Sequence, residues 1–295
     1  MKKILLLGKN GQVGWELQRA LMSLGEIIAL DSAQLNLADA QAMRQRVQQI
    51  KPDIIVNAAA YTAVDKAETD ADSALAINGI APGILAEEAK KIDALLVHYS
   101  TDYIFDGRKL GAYNEEDMPN PLSVYGKTKL AGEKAIRATG AKHLIFRTSW
   151  VYGARGKNFL LTMLRLAKER DELRIVHDQV GSPTWSRSIA EVSAQVLAQL
   201  SAPHAAKDLI EKVSGTYHLT SAGNVSWHDF AAAIMRIAQV QPAPRLTAIT
   251  TAEYPLPAPR PHNSVLSNAK LREVFNLSCG GWEENLKLCL AKNRS

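Results

Sequence analysis

Short apolar runs alternate with amphipathic segments along the first half of the chain. Five of these runs are continuous, which is typical of strands buried on both faces of a sheet. The predicted strands that contain these runs cover residues 4–7, 26–30, 54–56, 95–103 and 144–148. Between the runs, apolar positions recur at helical spacing, as at Val13, Leu17 and Leu21. Strands that alternate with helices in this way predict an α/β fold with a doubly wound parallel sheet.

A glycine-rich turn connects the first predicted strand to the first predicted helix. Gly8, Gly11 and Gly14 follow the apolar run directly and have the spacing GxxGxxG. Glycines allow a sharp turn and a close backbone approach, so that a pyrophosphate can bind the N–H groups at the helix N-terminus. The pattern favours a dinucleotide site. The alternative is an ordinary strand–helix turn that binds nothing.

An acidic residue ends the second predicted strand. Asp31 lies 20 residues after Gly11, where a carboxylate can accept hydrogen bonds from the adenosine ribose of NAD and would repel a 2′-phosphate. Lys9, in the glycine-rich turn, could partly offset that repulsion. The sequence therefore favours NAD without excluding NADP.

The alternation of strands and helices changes after Gly153. Residues 1–153 are predicted to form a dinucleotide-binding domain of the Rossmann type, to which residues 154–180 contribute a further helix and a short strand. Residues 181–295 are predicted to form mainly a smaller α+β domain that binds substrate, with one of its strands at Thr216–Leu219.

Candidate catalytic groups follow the fourth predicted strand. Tyr125 and Lys129 are four residues apart, so on a helix a phenol and an ammonium would project from one face. A nearby cation lowers the pKa of a tyrosine toward the range that suits a proton donor. Thr101 and Asp102 end the fourth strand, where ligands of open α/β sheets bind. The alternative for Tyr125 and Lys129 is a surface lysine one turn beyond a half-buried tyrosine.

Composition narrows the class of protein. The 295 residues are 46% hydrophobic and 22% charged, which is ordinary for a globular chain. The net charge of +5 is spread without a basic block, so a nucleic-acid partner is not expected. No apolar stretch reaches the roughly 18 residues of a membrane span. Cys279 and Cys289 lack metal-site spacing and indicate a reduced, cytoplasmic protein.

Five segments together resemble the extended short-chain dehydrogenase/reductase superfamily. They are GKNGQVG, NAAAYTAVDKAE, HYSTDYIFDG, YGKTKLAGE and FRTSWVYG, which begin at Gly8, Asn57, His98, Tyr125 and Phe146. The resemblance continues through DQVGSPT and RPHNSVL, which begin at Asp178 and Arg260, and so covers nearly the whole chain.

The resemblance implies a role for each matching residue. Tyr125 would be the catalytic acid, Lys129 would lower its pKa and hold the nicotinamide ribose, and Thr101 would hydrogen-bond the reacting carbonyl. Thr101, Asp102 and Trp150 would face the sugar nucleotide. The residues that would contact NADH or NADPH are Gly8, Gly11, Gln12, Val13, Gly14, Asp31, Asn36, Leu37, Ala60, Tyr61, Thr62, Tyr99, Tyr125 and Lys129. At Asn36 relatives usually have an acidic residue, so recognition of the adenine edge would differ here.

The activity implied is reduction by NADH or NADPH of the C4 keto group of dTDP-6-deoxy-L-lyxo-4-hexulose to dTDP-L-rhamnose. Two alternatives stay open: a reductase or epimerase of another nucleotide-linked 4-keto sugar, and a non-catalytic regulatory subunit. Some relatives are dimers bridged by a metal between surface carboxylates. Of that set only Glu16 is present, with Arg187 and Lys292 at the other positions, so no metal is expected. Whether the chain forms a homodimer stays open.

Overall fold

The structure is a computed structural model, and it describes residues 1–202, 206 and 208–291. Its strands are β1 (Lys2–Leu7), β2 (Gly25–Leu30), β3 (Ile54–Asn57), β4 (Leu95–Thr101), β5 (His143–Thr148), β6 (Val151–Tyr152), β7 (Glu172–Val176), β8 (Val180–Gly181), β9 (Thr184–Trp185), β10 (Gly215–His218), β11 (Val225–Ser226) and β12 (Arg245–Ile249).

The α-helices alternate with these strands. They are α1 (Gln12–Ala20), α2 (Ala40–Ile50), α3 (Val64–Ala67), α4 (Ala71–Leu75), α5 (Ala81–Lys91), α6 (Val124–Thr139), α7 (Phe159–Glu169), α8 (Ser186–Leu200), α9 (Leu209–Val213), α10 (Trp227–Ala238), α11 (Ala269–Phe275) and α12 (Trp282–Ala291). A π-helical turn, Ala76–Ile80, joins α4 to α5, and 3₁₀ turns cover Asp102–Ile104 and Thr251–Glu253.

One six-stranded parallel sheet organises the molecule, in the order β10-β5-β4-β3-β1-β2. The order reverses next to β1, because β2 lies on one side of it and β3 on the other. Such a switch point opens a crevice at the carboxyl ends of the strands. The predicted α/β class and doubly wound parallel sheet are confirmed.

Alternate residues of the strands feed two apolar cores, one on each face of the sheet. Ile4 and Leu6 of β1 pack with α1, α8 and α11, whereas Leu5 and Leu7 pack with α2, α5 and α6. Because both faces of every central strand are covered, the strands read as continuous apolar runs in the sequence.

The sixth strand of the sheet comes from late in the chain. The expected strand at Thr216–Leu219 is observed as β10, but it pairs in parallel with β5 instead of joining the smaller domain. Tyr217 packs its ring against Phe146 of β5 in the core. Strand β10 and helix α8 therefore belong to the large sheet and the helices that cover it, although both lie in the interval 181–295.

A separate cap lies over the carboxyl ends of the sheet, with its own apolar core. Contrary to expectation, α7 and β7 belong to this cap: Leu160 and Leu173 pack with Phe230 of α10 and Leu286 of α12. Strand β7 pairs in parallel with β12, outside the large sheet. The cap therefore begins within the interval 154–180, which the sequence had assigned to the sheet domain.

The helical stretch from α4 to α5 runs without a break at Gly79 and Pro82. A Cβ on Gly79 would lie 3.4 Å from Ala131 Cβ of α6, and one on Gly83 would lie 2.9 Å from Ala135 Cβ of α6. These glycines therefore allow close packing against α6. Pro82 is the second residue of α5, directly after the π-helical turn.

Two further observations concern membrane-spanning helices and residues 201–213. Within the described residues, no helix is both long enough and apolar enough to cross a membrane. The polar insertion at 201–213 ends in the short helix α9, and its residues 203–205 and 207, like Lys292, lie outside the described residues.

Candidate active site

A cavity of about 760 Å³ lies at the carboxyl ends of the strands, between the sheet and the cap. It extends from the glycine-rich turn after β1, past the ends of β3 and β4, to the start of α6. The predicted site residues that line it are Gly8, Gly11, Gln12, Val13, Asp31, Asn36, Leu37, Ala60, Thr62, Tyr99, Thr101, Asp102, Tyr125, Lys129 and Trp150.

Two predicted cofactor residues do not line the cavity. Gly14 is buried beneath the turn, where an added Cβ would lie 2.1 Å from the carbonyl oxygen of Gly8. Tyr61 turns away because its hydroxyl donates to Asp70 over 2.9 Å and its backbone N–H donates to Asn78 over 2.9 Å. Gly14 thus shapes the turn without facing the cavity, and Tyr61 anchors the loop after β3.

We call Gly8, Gly11 and Gly14 the glycine cradle. Gly8 has φ +83°, and a Cβ there would lie 2.7 Å from the backbone N of Ala59. Helix α1 follows Gly11, which provides no side-chain cap, so its first-turn N–H groups point toward the cavity without a side-chain partner of that kind. Backbone donors at a helix N-terminus fit a pyrophosphate.

The carboxylate of Asp31 lies at the rim of the cavity, beyond β2. Its Oδ1 accepts the backbone N–H groups of Ala33 and Gln34, and its Oδ2 accepts the side-chain amide of Asn10 at 3.1 Å. Lys9 Nζ lies 3.4 Å from Oδ2. Desolvation opposes the shift, but the N–H of Gln34 and the charge of Lys9 lower the pKa of Asp31. The Lys9 ammonium thus partly neutralises the negative charge of Asp31 at this rim of the cavity.

Helix α6 carries Tyr125 into the other end of the cavity. Ser123 caps this helix by accepting the N–H of Gly126 at 3.2 Å. A Cβ on Gly126 would lie 2.2 Å from the carbonyl oxygen of Tyr103, so only glycine lets the helix approach the end of β4 this closely. The Tyr103 ring meets the Tyr125 ring edge-on, with centroids 5.6 Å apart. Gly126 therefore sets how closely α6 approaches the end of β4.

The side chains of Tyr125 and Thr101 both line the cavity at the end of β4. Burial raises the pKa of Tyr125 to about 12, the Thr101 hydroxyl opposes this rise, and the charge of Asp102 adds to it. Tyr125 is therefore a neutral phenol with a proton to donate at neutral pH.

Lys129 forms its hydrogen bonds with β4 and not with Tyr125, although the four-residue spacing predicted an interaction between these two side chains. Its Nζ donates to the carbonyl oxygen of Tyr99 at 2.6 Å and lies 3.2 Å from His98 Nε2. Burial lowers the pKa of Lys129 to about 8, against the charge of Glu133, which raises it. The difference has a physical reason, because strand β4 offers the buried amine a closer acceptor than the phenol.

Asp102 is enclosed by hydroxyls from three parts of the chain. Its Oδ1 accepts Thr101 Oγ1 at 3.0 Å and its Oδ2 accepts Ser149 Oγ at 3.1 Å. Burial raises the pKa of Asp102 to about 6, while hydrogen bonds from Ser264, Thr101 and Ser149 oppose the rise. Ser149 and Ser264 were not predicted as site residues, although both lie in motifs that carry the resemblance.

The half-buried ring of Trp150 forms one wall of the cavity. It stacks on Trp227, the first residue of α10, with centroids 3.4 Å apart and an interplanar angle of 6°. Trp150 has φ +48°, and a Cβ on Gly181 would lie 2.4 Å from its ring. The cap therefore holds this side chain in a backbone conformation that non-glycine residues rarely adopt. Trp227 carried no signal in the sequence, since its contact with Trp150 forms only in three dimensions.

Arg260 lies in the Pro-rich connector of the cap, residues 255–261, and pairs with an acidic residue of α3. Its Nη2 donates to both carboxylate oxygens of Asp65 at 2.9 Å, and its guanidinium lies over the ring of Tyr103. This bidentate pair ties the Pro-rich connector of the cap to α3, beside the cavity.

The comparisons with known proteins agree along the full chain. A sequence model described as the RmlD substrate binding domain matches residues 1–295. The chain belongs to the RmlD substrate-binding-domain family. The resemblance that the motifs indicated is thereby confirmed.

Members of this family share both sequence and fold with the chain. A dTDP-4-dehydrorhamnose reductase of Burkholderia thailandensis is 50% identical over 98% of each chain. One from Escherichia coli K12 is 46% identical over 97% of this chain and 96% of that protein. The crystal structure of the Clostridium acetobutylicum reductase has a TM-score of 0.91 at 40% identity, covering 99% of this chain and 100% of that one.

A further solved structure of the RmlD family holds a cofactor. The Bacillus anthracis dTDP-4-dehydrorhamnose reductase, in complex with NADP, has a TM-score of 0.90 at 36% identity and covers 99% of each chain. Its cofactor is of the class that the glycine cradle and Asp31 predicted from the sequence.

Proposed function

We propose that this chain is an NAD(P)H-dependent dTDP-4-dehydrorhamnose reductase. It reduces the C4 keto group of dTDP-6-deoxy-L-lyxo-4-hexulose and gives dTDP-L-rhamnose, the last step of dTDP-L-rhamnose synthesis. The observation that carries the proposal is that Tyr125 and Thr101 line the same cavity as Gly8 and Gly11 of the glycine cradle. Full-length identity of 45–50% to reductases of this name supports it.

The residues of the cavity fit a nicotinamide dinucleotide. The glycine cradle would hold the pyrophosphate on the N–H groups of α1. Glycine is needed at Gly8 and Gly14 because a Cβ there would clash with neighbouring backbone and distort the turn. Asp31 and Lys9 would contact the adenosine ribose, and Asn36 and Leu37 would lie beside the adenine. Thr62 and Tyr99 would lie along the cofactor. When bound, the reduced dinucleotide supplies the hydride.

Tyr125 would donate the proton that completes the reduction. As negative charge builds on the C4 oxygen, the phenol transfers its proton to that oxygen. The Thr101 hydroxyl, which donates to Asp102 in this structure, would turn to donate to the same oxygen. Proton donation of this kind contributes about 10²–10⁴-fold to a rate. Lys129, once cationic, would stabilise the phenolate that remains. The rest of the acceleration has to come from orientation of the reactants.

The cap side of the cavity would bind the nucleotide sugar. Trp150 offers a flat wall fixed by Trp227, and the carboxylate of Asp102 accepts hydroxyl donors. Because Asp102 is held by Thr101 itself, a substrate hydroxyl bound there would be in register with the catalytic hydroxyls. This arrangement would favour a sugar over a simple ketone.

The assay follows oxidation of NADH and of NADPH with enzymatically made dTDP-6-deoxy-L-lyxo-4-hexulose, and with 4-keto sugars linked to UDP and GDP. We expect oxidation with the dTDP sugar and formation of dTDP-L-rhamnose. Faster turnover of a UDP or GDP sugar would make the chain a reductase or epimerase of another substrate. No oxidation with any of them, while NADPH still binds, would favour a regulatory subunit.

The setting of the reaction follows from the same chemistry. We place the enzyme in the cytoplasm, where its cofactor and nucleotide sugar are made and where its two buried free thiols, Cys279 and Cys289, remain reduced. Its partner is a small nucleotide sugar. Gel filtration with light scattering distinguishes a monomer from a homodimer.

A further inference from the structure

Two buried polar side chains lie behind Lys129, on the side away from the cavity. Asn57 ends β3 and His98 lies in β4, and the two are neighbours in the register of the parallel strands. Asn57 Nδ2 lies 3.2 Å from His98 Nδ1, and His98 Nε2 lies 3.2 Å from Lys129 Nζ. All three residues are only 1% exposed. They form a continuous chain of hydrogen bonds that the proposed reaction does not use.

The backbone fixes the direction of this chain. The N–H of Ala59 donates to Asn57 Oδ1 over 3.2 Å, so the amide NH₂ of Asn57 is the group that faces His98. Since NH₂ only donates, His98 Nδ1 has to accept, and the single proton of a neutral imidazole then resides on Nε2. The Nε2–H group points at Lys129.

A lysine ammonium has three donors and no acceptor, whereas a neutral amine has a lone pair that can accept. An Nε2–H group of His98 therefore forms a hydrogen bond to Lys129 only when that residue is uncharged. In this state the amine still donates to the carbonyl of Tyr99, and each link of the chain has one donor and one acceptor. We propose that Asn57 and His98 are positioning residues that favour the neutral amine of Lys129.

The surrounding charges agree with this assignment. Burial is the main cause that holds the pKa of His98 well below its usual value, and a charge on Lys129 lowers it further, so the imidazole is neutral in either state of Lys129. Burial also lowers the pKa of Lys129, and Glu133, one turn further along α6, opposes this. Glu133 is itself paired with Arg147 of β5 at 2.7 Å, which reduces its influence. Further ionisable groups around this end of α6 are Asp102 beyond β4, the phenols of Tyr125 and Tyr103, and Glu68, which accepts the N–H of Val124.

The consequence for catalysis rests on the proposed function. A cationic Lys129 stabilises the Tyr125 phenolate, so activity falls as the pH rises through the pKa of Lys129. Because Asn57 and His98 lower that pKa, they set the alkaline limit of turnover. Removal of either residue should extend activity to higher pH.

The tautomer of His98 is the direct test, and it requires no turnover. The ¹⁵N spectrum of histidine-labelled protein separates Nε2–H from Nδ1–H imidazoles, and the signal of His98 is the one lost in His98→Phe. We expect the Nε2–H form at neutral pH. An Nδ1–H form would overturn the proposal, because Nε2 would then accept from an ammonium.

Titration of Lys129 gives the second test. Protein labelled with ¹³C at lysine Cε is titrated, and the signal of Lys129 is identified by its loss in Lys129→Arg. We expect the midpoint to rise by about one pH unit in Asn57→Leu, which frees His98 to accept, and in His98→Phe, which removes the facing donor. If His98 instead accepted from the ammonium, His98→Phe would lower the midpoint.

The matched control is His143→Phe, a buried histidine at the start of β5 that bonds the carbonyl of Ala141. It should leave the midpoint of Lys129 unchanged. Circular dichroism verifies the fold of each variant, and Asn57→Leu keeps the test available if His98→Phe does not fold. If the midpoints shift as expected but no substrate is reduced, the proposed function fails while this assignment stands.

Discussion

The two ends of the cavity are built in different ways. The cofactor end is shaped by backbone, through the glycine cradle and the first turn of α1, and its one carboxylate, Asp31, lies at the rim beside Lys9. The catalytic end is shaped by buried polar side chains that contact one another across β3, β4, β5 and α6. A substitution at the cofactor end should therefore change the shape of the space that holds the ligand. One at the catalytic end should change the electrostatics of the buried side chains.

The catalytic end is held together by a buried ion pair beneath it. Glu133 of α6 binds Arg147 of β5 through two hydrogen bonds of 2.7 and 3.0 Å, and it accepts the hydroxyl of Ser100 at 2.6 Å. Ser100 precedes Thr101, and Lys129 lies one turn before Glu133. The pair thus fixes the helix that carries the proton donor against the strand that carries its hydroxyl partner.

The largest effect is expected for Tyr125→Phe. Loss of the phenolic proton should reduce kcat by about 10²–10⁴-fold, while the Kd for NADPH changes little because the glycine cradle is intact. Steady-state kinetics and fluorescence titration measure the two. Tyr113→Phe, in which the lost hydroxyl binds Asp106 outside the cavity, is the matched control. Near wild-type turnover by Tyr125→Phe would remove this residue from the mechanism.

Glu133→Gln should have the next largest effect, on stability. Removal of one partner from a buried ion pair costs about 3–5 kcal/mol of the free energy of unfolding. Glu87→Gln, which breaks an exposed pair with Arg44, should cost less than about 1 kcal/mol. Urea denaturation measures both. Equal losses would show that the two pairs contribute alike and would contradict the contrast between buried and exposed charge.

The same pair predicts a pH dependence. Burial would raise the pKa of Glu133, but Arg147, Ser100 and Arg137 outweigh it and lower that pKa. A folded pKa below the unfolded value stabilises the protein above the unfolded value, and this contribution is lost as the pH falls through the folded pKa. The difference in stability between the wild type and Glu133→Gln should therefore shrink in acid.

Gly14→Ala tests the cofactor end. The new Cβ would lie 2.1 Å from the carbonyl oxygen of Gly8, so the cradle has to shift at a cost of about 1–3 kcal/mol. We expect the Kd for NADPH to rise about 10- to 100-fold. Turnover at saturating NADPH should stay close to wild type, because Tyr125 and Thr101 are untouched. A lower kcat with unchanged Kd would show that the two ends are not independent.

The smallest effect is expected for Asp31→Asn. Loss of a rim carboxylate should improve binding of NADPH relative to NADH by about 3- to 5-fold, because exposed charges contribute less than about 1 kcal/mol. The gain should shrink at high ionic strength. Fluorescence titrations with both cofactors measure it, and Asp72→Asn on α4 is the control. An unchanged ratio would mean that Lys9 already neutralises the site.

The difference between the two ends also decides what the sequence could predict. The glycine cradle, Asp31 and the Tyr125–Lys129 spacing are local patterns, and the sequence alone is enough to recognise each of them. Ser149, Ser264 and Trp227 reach the site only because distant segments fold against β4 and β5. Periodicity does not record such contacts. For the same reason, the sequence placed Lys129 beside Tyr125, whereas β4 supplies the acceptor that the amine prefers.

The sequence assigned two strands to the wrong part of the fold, because their partner strands lie far away along the chain. Strand β7 was expected near the large sheet because it follows a helix in the usual alternation, yet its partner is β12. The strand type was predicted correctly in both β7 and β10. The choice of partner was not, because it depends on the fold of residues far along the chain.

The position of β10 has a consequence for synthesis on the ribosome. Strand β5 is an edge of the sheet until residues 215–218 pair with it, and these lie about 70 residues later in the chain. A nascent chain that ends near α8 therefore exposes unpaired N–H and C=O groups of an apolar strand. Domains usually fold as units from the N-terminus during synthesis. Here the last strand of the large sheet is made late, so β5 stays an unpaired edge until about 70 further residues have been synthesised.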